Sequence, residues 1–213
     1  MAKLIPAILE AEVEAIVSKA QILQQHPDLF YRAQLDVVDG TFAKGKTVED
    51  PNAIPDLKID TEVHLMVMHP DVILRGWIKH PSIKRLVVHV EAAGNIQEVI
   101  DRVRASGKEI SLACNPDTPF QIFEPYMNKI DGVLLLSVTP GKQGQPMQTD
   151  VLEKIKEIKK RFSQVSVAID GGVNLENIDR VIQAGADDII VGSGIWKQEQ
   201  PEAALRQFHQ LLA

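Results

Sequence analysis

Short runs of Val, Ile and Leu alternate along the chain with segments that have the hydrophobic spacing of amphipathic helices. Apolar runs of roughly four to eight residues are typical of buried strands. The pattern therefore predicts eight strands, at residues 3–9, 31–37, 62–67, 85–90, 109–113, 132–136, 165–169 and 188–191. A helix is predicted after each strand, and the apolar residues of segments 13–23, 151–162 and 205–212 share one helical face.

Start and stop signals for helices lie between the predicted strands. Asn95 with Glu98 three residues later, and Pro119 at a first helical position, are typical of helix starts. Gly107 and Gly185 are typical of residues that end a helix. These signals agree with a chain in which strands and helices alternate.

The predicted strands are apolar throughout, which is typical of a parallel sheet that helices cover on both faces. Such a sheet is either a closed (β/α)8 TIM barrel or a doubly wound open sheet. Polar residues follow the second, third, fourth, sixth, seventh and eighth strands at the same end of the sheet. A site drawn from many strand ends is typical of a barrel, so we predict an α/β protein with a single (β/α)8 TIM barrel domain over residues 1–213.

Composition and charge narrow the classes of function. Hydrophobic residues make up 45% and charged residues 24% of the 213 residues, as in ordinary globular proteins. The net charge of −6 argues against nucleic-acid binding, which requires a basic surface. The sequence has no apolar stretch long enough to span a membrane, no signal-peptide pattern, and a single cysteine, Cys114, which excludes an internal disulfide. We therefore expect a cytoplasmic enzyme with no nucleic-acid or membrane partner.

Three polar residues interrupt otherwise apolar strands. Asp36 lies in QLDVVDG, His64 in EVHLMV and Asp170 in VAIDGG. An unpaired carboxylate is costly in a buried strand, so Asp36 and Asp170 are predicted to act in a site rather than in the core. Asp39, which precedes a glycine, is interpreted as a turn residue. A lone strand histidine is more often a core residue, but three polar residues at equivalent strand ends favour a shared site.

Glycine-rich loops follow the last three predicted strands, at residues 139–145 (TPGKQGQ), 170–174 (DGGVN) and 191–195 (VGSGI). Glycines let backbone N–H groups approach an oxyanion closely, and a helix predicted to begin near Asn174 adds its dipole. Barrels often bind phosphate at the loops after strands seven and eight. A phosphate site is therefore predicted here, at Gly141, Gly144, Gln145, Gly171, Gly172, Gly192 and Ser193.

Eight motifs follow one another along the chain: IPAIL (5–9), LDVVDG, EVHLMV, VVHVEA, NPDTP (115–119), SVTPGKQGQ, IDGGVN and VGSGIW. Together they resemble the ribulose-phosphate 3-epimerase family over nearly the whole length of the sequence. The resemblance implies a ribulose-phosphate-binding TIM barrel of carbohydrate metabolism. It implies an isomerase that inverts C3 of a ketopentose phosphate by two-base proton transfer through an enediolate, with Asp36 and Asp170 as the bases. A small phosphorylated sugar is the expected partner, and a homo-oligomer is consistent with the family.

The resemblance also implies a divalent metal that polarises the substrate carbonyl. Its ligands are expected to be Asp36, His64 and Asp170 together with a histidine in the second strand, and His64 is also expected near the substrate. The chain departs from the family pattern in the strands, where Gln34 replaces the second-strand histidine, Ala7 a serine that contacts substrate, and Val38 and Leu136 two methionines. It also departs in the phosphate loop, which reads PGKQGQ rather than the glycine-richer PGFGGQ.

The replacement of the histidine by Gln34 leaves three outcomes open. Asp36, His64 and Asp170 suffice for an open metal site, and an amide oxygen from Gln34 would favour Mn²⁺ or Mg²⁺ over Zn²⁺, with Fe a further alternative. In a second outcome no metal binds, and Gln34 and His64 donate hydrogen bonds to the oxyanion. In a third, the barrel binds a phosphorylated ligand without turnover.

His89 and Glu91 in VVHVEA are interpreted as a hydrogen-bonded pair that shapes the barrel mouth. An epimerase of a ketohexose phosphate is a related alternative. A phosphoribosylanthranilate isomerase or a decarboxylase-type relative is disfavoured, because the D-x-K-x-x-D pattern of the decarboxylase group is absent and Val38 stands where its lysine would lie.

Overall fold

The computed structural model describes residues 1–141 and 144–212. Its strands are β1 (Lys3–Ile8), β2 (Ala33–Val38), β3 (Thr61–Met66), β4 (Ile83–His89), β5 (Glu109–Cys114), β6 (Gly132–Leu136), β7 (Ser166–Asp170) and β8 (Asp188–Val191). All pair in parallel and in chain order, and β8 pairs with β1, so the sheet closes into a barrel. The predicted (β/α)8 fold is confirmed, and the ends of the predicted strands are shifted by two residues at most.

The α-helices surround the barrel and begin and end at α1 (Val13–Gln24), α2 (Pro70–Lys79), α3 (Ile96–Ala105), α4 (Val151–Arg161), α5 (Ile178–Ala184), α6 (Ser193–Trp196) and α7 (Pro201–Leu212). Asn95 caps α3 through its side chain, and Gly185 ends α5 in the left-handed conformation, as their sequence signals predict. Among the described residues, none of the helices has the length and the apolar character to cross a lipid bilayer.

The prediction of a helix after every strand is wrong at two connections. Residues 39–60, all of them described, contain only the 3-10 helix Pro51–Ala53 between β2 and β3. Residues 115–131, also fully described, contain only the 3-10 helix Phe120–Tyr126 between β5 and β6. Pro119 precedes this helix rather than opening an α-helix, and Pro125 lies within it and lacks the N–H that an α-helical hydrogen bond needs.

Side chains alternate between the two faces of each strand, so every second residue points into the barrel. The middle of the interior is filled by a small apolar cluster, formed by Ile5, Ala7, Val87, Ala113, Leu134, Leu136, Ala168 and Ile190. The outward faces of the strands pack against the helices in a separate, larger hydrophobic cluster. The interior is therefore apolar only at its centre.

Charged side chains close the amino-terminal end of the barrel, which differs from the expectation of strands that are apolar throughout. Arg85 contacts Glu62 at 3.4 Å, Asp188 at 3.0 Å and Glu109 at 2.9 Å. Glu62 and Asp188 are buried, and Arg32 pairs with Glu109 at 3.0 Å. These residues come from β3, β4, β5 and β8 and from the segment before β2. The network leaves the carboxyl ends of the strands as the open end of the barrel.

Candidate active site

The three polar residues predicted from the strands meet at the carboxyl end of the barrel. Asp36 near the end of β2 is directly opposite His64 of β3 in the strand register. Asp170 ends β7, which β1 and β8 separate from β2. The Nδ1 atom of His64 lies 3.4 Å from Oδ1 of Asp36 and 3.5 Å from Oδ2 of Asp170. The fold therefore brings together residues that are 28 to 134 positions apart, as the sequence predicts.

Gln34 lies in the centre of this cluster. It is two residues before Asp36 on β2 and therefore points to the same, inward face. Its Nε2 donates to Oδ1 of Asp36 and to Oδ2 of Asp170, at 2.8 Å in both cases, and lies 3.5 Å from Nδ1 of His64. The amide thus joins the two carboxylates in one hydrogen-bonded group, a role that the sequence analysis did not anticipate.

The pKa values of Asp36 and His64 are both raised, for different physical reasons. Burial raises the pKa of Asp36, and the neighbouring Asp170 carboxylate adds to the increase, although hydrogen bonding to His64 opposes it. Burial alone would lower the pKa of His64, but its contacts with Asp170 and Asp36 outweigh burial and raise the pKa to about 9. Asp36 therefore retains a proton more readily than an exposed aspartate does.

His64 is also bonded on its other side, to His89 of β4. The two Nε2 atoms are 2.9 Å apart, and Nδ1 of His89 lies 3.1 Å from Oε2 of Glu91. Burial lowers the pKa of His89 to about 4. Burial alone would raise the pKa of Glu91, but hydrogen bonds from His89, Thr118 and Asn115 outweigh burial and lower this pKa to about 2. The expected pair of His89 and Glu91 is present, and it continues into the carboxylate cluster through His64. Sequence reasoning missed this continuation, because it depends on the pairing of β3 with β4.

A cleft opens above the cluster and contains the predicted phosphate residues. Its walls include Asp36 and Asp170 together with all seven predicted phosphate-site residues, Gly141, Gly144, Gln145, Gly171, Gly172, Gly192 and Ser193. Ala7, Met66 and Leu136 form apolar parts of the wall. His64, which is 0% exposed, is not part of the wall and lies beneath the carboxylates. Residues 142 and 143 of the TPGKQGQ motif lie outside the described residues.

Side chains that the sequence analysis did not single out hold the glycine loop after β7. The Ser137 hydroxyl donates to the carbonyl oxygens of Asp170, at 3.1 Å, and Gly171, at 2.5 Å. Nδ2 of Asn177 donates to the carbonyl oxygen of Gly172 at 2.8 Å. Residues 171–174 form this loop and α5 begins only at Ile178, so the expected helix start near Asn174 is wrong by four residues.

The donor set of the cluster fits a divalent metal. Asp36, His64 and Asp170 each offer a ligand atom, and these atoms lie within 4.8 Å of one another. Two carboxylates and one imidazole are enough protein ligands for an open catalytic metal site. Within the described part of the chain, Oε1 of Gln34 is buried without a hydrogen-bond partner. Half a turn of the amide group exchanges Oε1 with Nε2, so Gln34 offers a cation one further oxygen.

Comparison with known proteins gives the same family along nearly the whole chain. A family model described as the ribulose-phosphate 3 epimerase family matches residues 3–196. The chain is 32% identical over 218 residues to a ribulose-phosphate 3-epimerase of Bacillus subtilis (strain 168), a match that covers 97% of this chain and 98% of the relative. It is 34% identical over 174 residues to a ribulose-phosphate 3-epimerase of Mycoplasma genitalium, covering 81% of this chain and 80% of the relative.

Solved structures with low sequence identity share the architecture. A mutant tryptophan synthase α-subunit from Pyrococcus furiosus superposes with a TM-score of 0.71 at 19% identity, covering 99% of this chain and 97% of that one. Orotidine 5'-monophosphate decarboxylase from Sulfolobus solfataricus gives a TM-score of 0.64 at 16% identity, covering 100% of this chain and 98% of that one. At these identities the likeness shows the fold alone.

Proposed function

Because the chain belongs to the ribulose-phosphate 3-epimerase family, we propose that it inverts the hydroxyl-bearing C3 carbon of a ketopentose phosphate, with Asp36 and Asp170 as the two proton-transfer groups. The predicted family and the predicted class of isomerase are confirmed by the family match. The observation that carries the assignment of residues is the pair of carboxylates on the cleft wall. They come from strands β2 and β7, so they approach one cleft from different sides.

Inversion requires that one group removes a proton from C3 and that another returns a proton to the opposite face. In one direction, the Asp170 carboxylate takes the C3 proton, and the electron pair moves toward the C2 oxygen to form an enediolate. The protonated Asp36 then donates its proton to the other face of C3, and the C2 carbonyl re-forms. In the reverse direction the two aspartates exchange roles. The raised pKa of Asp36 supports this residue as the proton-holding member of the pair.

The ribulose-phosphate 3-epimerase family typically depends on a divalent metal, and Asp36, His64 and Asp170 are the residues that would hold it. When bound, the metal supplies a Lewis acid for the charge that develops on the C2 oxygen. Carboxylate and amide oxygens favour Mn²⁺ or Mg²⁺, whereas an imidazole-rich set favours Zn²⁺ or Fe²⁺. Because Gln34 replaces one imidazole with an amide, we expect a preference for Mn²⁺ or Mg²⁺.

The glycine loops after β6, β7 and β8 support a phosphate group as the anchor of the substrate. They line the same cleft as the carboxylates, so one ligand can reach both. Bonds to Ser137 and Asn177 hold the loop after β7 in place, which favours recognition by pre-positioned backbone groups. We propose that residues 1–213 form one catalytic barrel domain, because residues from strands near both ends of the sequence line the cleft.

The test is conversion of ribulose 5-phosphate into xylulose 5-phosphate by protein purified without added metal, with metal content measured on the same sample. We expect conversion that chelation abolishes and that Mn²⁺ or Mg²⁺ restores better than Zn²⁺. Substoichiometric metal, with conversion that none of these ions changes, would contradict the metal assignment. Phosphosugar binding without conversion would favour a barrel that binds phosphosugars but does not turn them over. Turnover of a ketohexose phosphate alone would show that the substrate is a six-carbon sugar phosphate.

A further inference from the structure

Beneath the carboxylate cluster, a chain of hydrogen bonds runs from the barrel mouth to His64. Oε2 of Glu91 lies 3.1 Å from Nδ1 of His89, and Nε2 of His89 lies 2.9 Å from Nε2 of His64. Both histidine side chains are 0% exposed, so bonds to water do not substitute for these contacts. We infer that Glu91 and His89 are positioning residues, which keep a hydrogen on Nε2 of His64, so that Nδ1, the nitrogen facing Asp36 and Asp170, is the one that loses its proton when a metal binds. The inference rests on the proposed function for its metal site.

The direction of the chain follows from its outer end. A carboxylate can only accept hydrogen bonds, so Nδ1 of the His89 ring must carry the hydrogen that Glu91 accepts. A neutral imidazole has one N–H, and its other nitrogen is an acceptor. Nε2 of His89 therefore accepts, and Nε2 of His64 must donate to it. The remaining nitrogen of His64, Nδ1, faces the two carboxylates, and it is the nitrogen that a metal would occupy in place of a proton.

Glu91 is itself held in a fixed position. Its other oxygen, Oε1, accepts from the backbone N–H of Asn115 at 2.8 Å and from the hydroxyl of Thr118. These two donors occupy Oε1 and leave Oε2 for His89. Partners of this kind typically change metal affinity by roughly 10- to 100-fold when they are mutated, because they set the orientation and the tautomer of a ligating histidine.

Glu91→Gln tests the direction of the chain with almost no change of shape. The backbone N–H of Asn115 requires an acceptor, so the new side chain keeps its oxygen there and presents its NH₂ group to Nδ1 of His89. That nitrogen must then accept, His89 carries its hydrogen on Nε2, and Nε2 of His64 becomes an acceptor. The only N–H of a neutral His64 is then Nδ1–H, which points at the carboxylates and removes the lone pair.

The experiment combines two measurements on the full-length protein. Calorimetric titration with Mn²⁺ gives metal affinity, and ¹⁵N–¹H NMR on histidine-labelled protein without metal shows which nitrogen of His89 carries the hydrogen. We expect Glu91→Gln to weaken Mn²⁺ binding by roughly 10- to 100-fold and to move the hydrogen of His89 from Nδ1 to Nε2. Thr118→Val is the matched comparison, because it removes one donor to Glu91 but keeps the carboxylate: the hydrogen of His89 should stay on Nδ1, and Mn²⁺ affinity should fall less than in Glu91→Gln.

The outcomes separate this inference from the proposed function. If the wild type binds Mn²⁺ and Glu91→Gln binds it equally well with an unchanged His89 tautomer, the positioning role is wrong and the metal site stands. If the wild type does not bind Mn²⁺, the metal assignment fails, and the NMR measurement alone tests whether Glu91 sets the tautomers of His89 and His64. A reversed tautomer then supports the positioning role, and an unchanged one overturns it.

Discussion

At the scale of single residues, Gln34 is the position that distinguishes this site. Its amide nitrogen lies within hydrogen-bond distance of both carboxylates, where two negative groups would otherwise repel each other in a buried environment. Among the residues that the structure describes, Oε1 of the same side chain has no hydrogen-bond partner, and this is costly for a buried polar atom. A cation that draws Oε1 toward the carboxylates would relieve both costs. Gln34 is therefore expected to set which metal binds.

Gln34→His tests this expectation at the residue itself. The substitution adds a second imidazole to the cluster, so we expect Zn²⁺ affinity to increase by about an order of magnitude relative to Mn²⁺ affinity. Titration of the wild type and the variant with both ions measures the ratio of the two affinities. An unchanged ratio would show that position 34 does not contribute a ligand.

The sequence predicted Asp36, His64 and Asp170 because a polar residue within an apolar strand is costly unless it has a partner or a function. The bond between His64 and His89 could not be predicted in this way. That contact arises from the pairing of β3 with β4, in which His64 is opposite Val87 and His89 lies two residues further along the same face. The sequence around each histidine does not specify this register between the two strands.

At the scale of elements, the loops after β6 and β7 depend on a close backbone approach at Gly172. The residue has a φ of +65°, and a Cβ atom there would lie 2.7 Å from the carbonyl oxygen of Gln145 and closer still to the backbone nitrogen of Met147. Both the conformation and the contact exclude a side chain. Gly172 thus lets the two loops that line the cleft pack against each other.

Gly172→Ala should therefore disturb the cleft more than the strain of a positive φ alone would, because the new Cβ atom would also clash with the neighbouring loop. We expect KM for the phosphosugar to rise by roughly 10-fold or more, because the two loops must move apart. Gly107→Ala is the control: its φ is +78°, but a Cβ atom would meet no heavy atom within 4 Å in the described part of the chain. This control should lower the free energy of unfolding by about 1 kcal/mol and leave KM unchanged. Equal KM values in the two variants would contradict the loop contact.

Strands were more predictable than helices in this chain. A buried parallel strand is marked by its own apolar residues, and all eight strands lie where their apolar runs predict. Helix type and start depend on the surrounding hydrogen bonds. Asn174 accepts from the backbone N–H groups of Glu176 and Asn177 and so forms a turn, and this delays α5 to Ile178.

At the scale of the whole molecule, the barrel has polar groups at both ends and an apolar centre. The carboxyl end carries the cleft, and the amino-terminal end carries the network around Arg85 and Glu62. Burial raises the pKa of Glu62 from 4.5 to about 7, although Arg85 and Arg32 oppose this shift. Ionisation of Glu62 therefore lowers the free energy of unfolding. The side chains of the network fill the closed end of the barrel.

The raised pKa of Glu62 predicts how stability varies with pH. Between pH 4.5 and about 7 the folded state holds a proton that the unfolded state has lost, so the free energy of unfolding falls as pH rises through this range. The full change is about 3 kcal/mol. Glu62→Gln removes this titration, so the stability of the wild type relative to the variant should decrease by that amount across the range. Urea unfolding at several pH values measures the difference, and a constant difference would contradict the raised pKa.

Hydrogen exchange at C3 tests most directly whether Asp36 and Asp170 act on opposite faces of the substrate. Ribulose 5-phosphate and xylulose 5-phosphate are each incubated in D₂O with the wild type, Asp36→Asn and Asp170→Asn, and deuterium at C3 is followed by NMR. We predict that the wild type introduces deuterium at C3 as it interconverts the epimers. Each variant should lose turnover by roughly 10²- to 10⁴-fold, and any residual exchange should be confined to one epimer, a different one in each variant. Interconversion at near wild-type rate in either variant, or turnover that retains the C3 hydrogen, would contradict the two-base account.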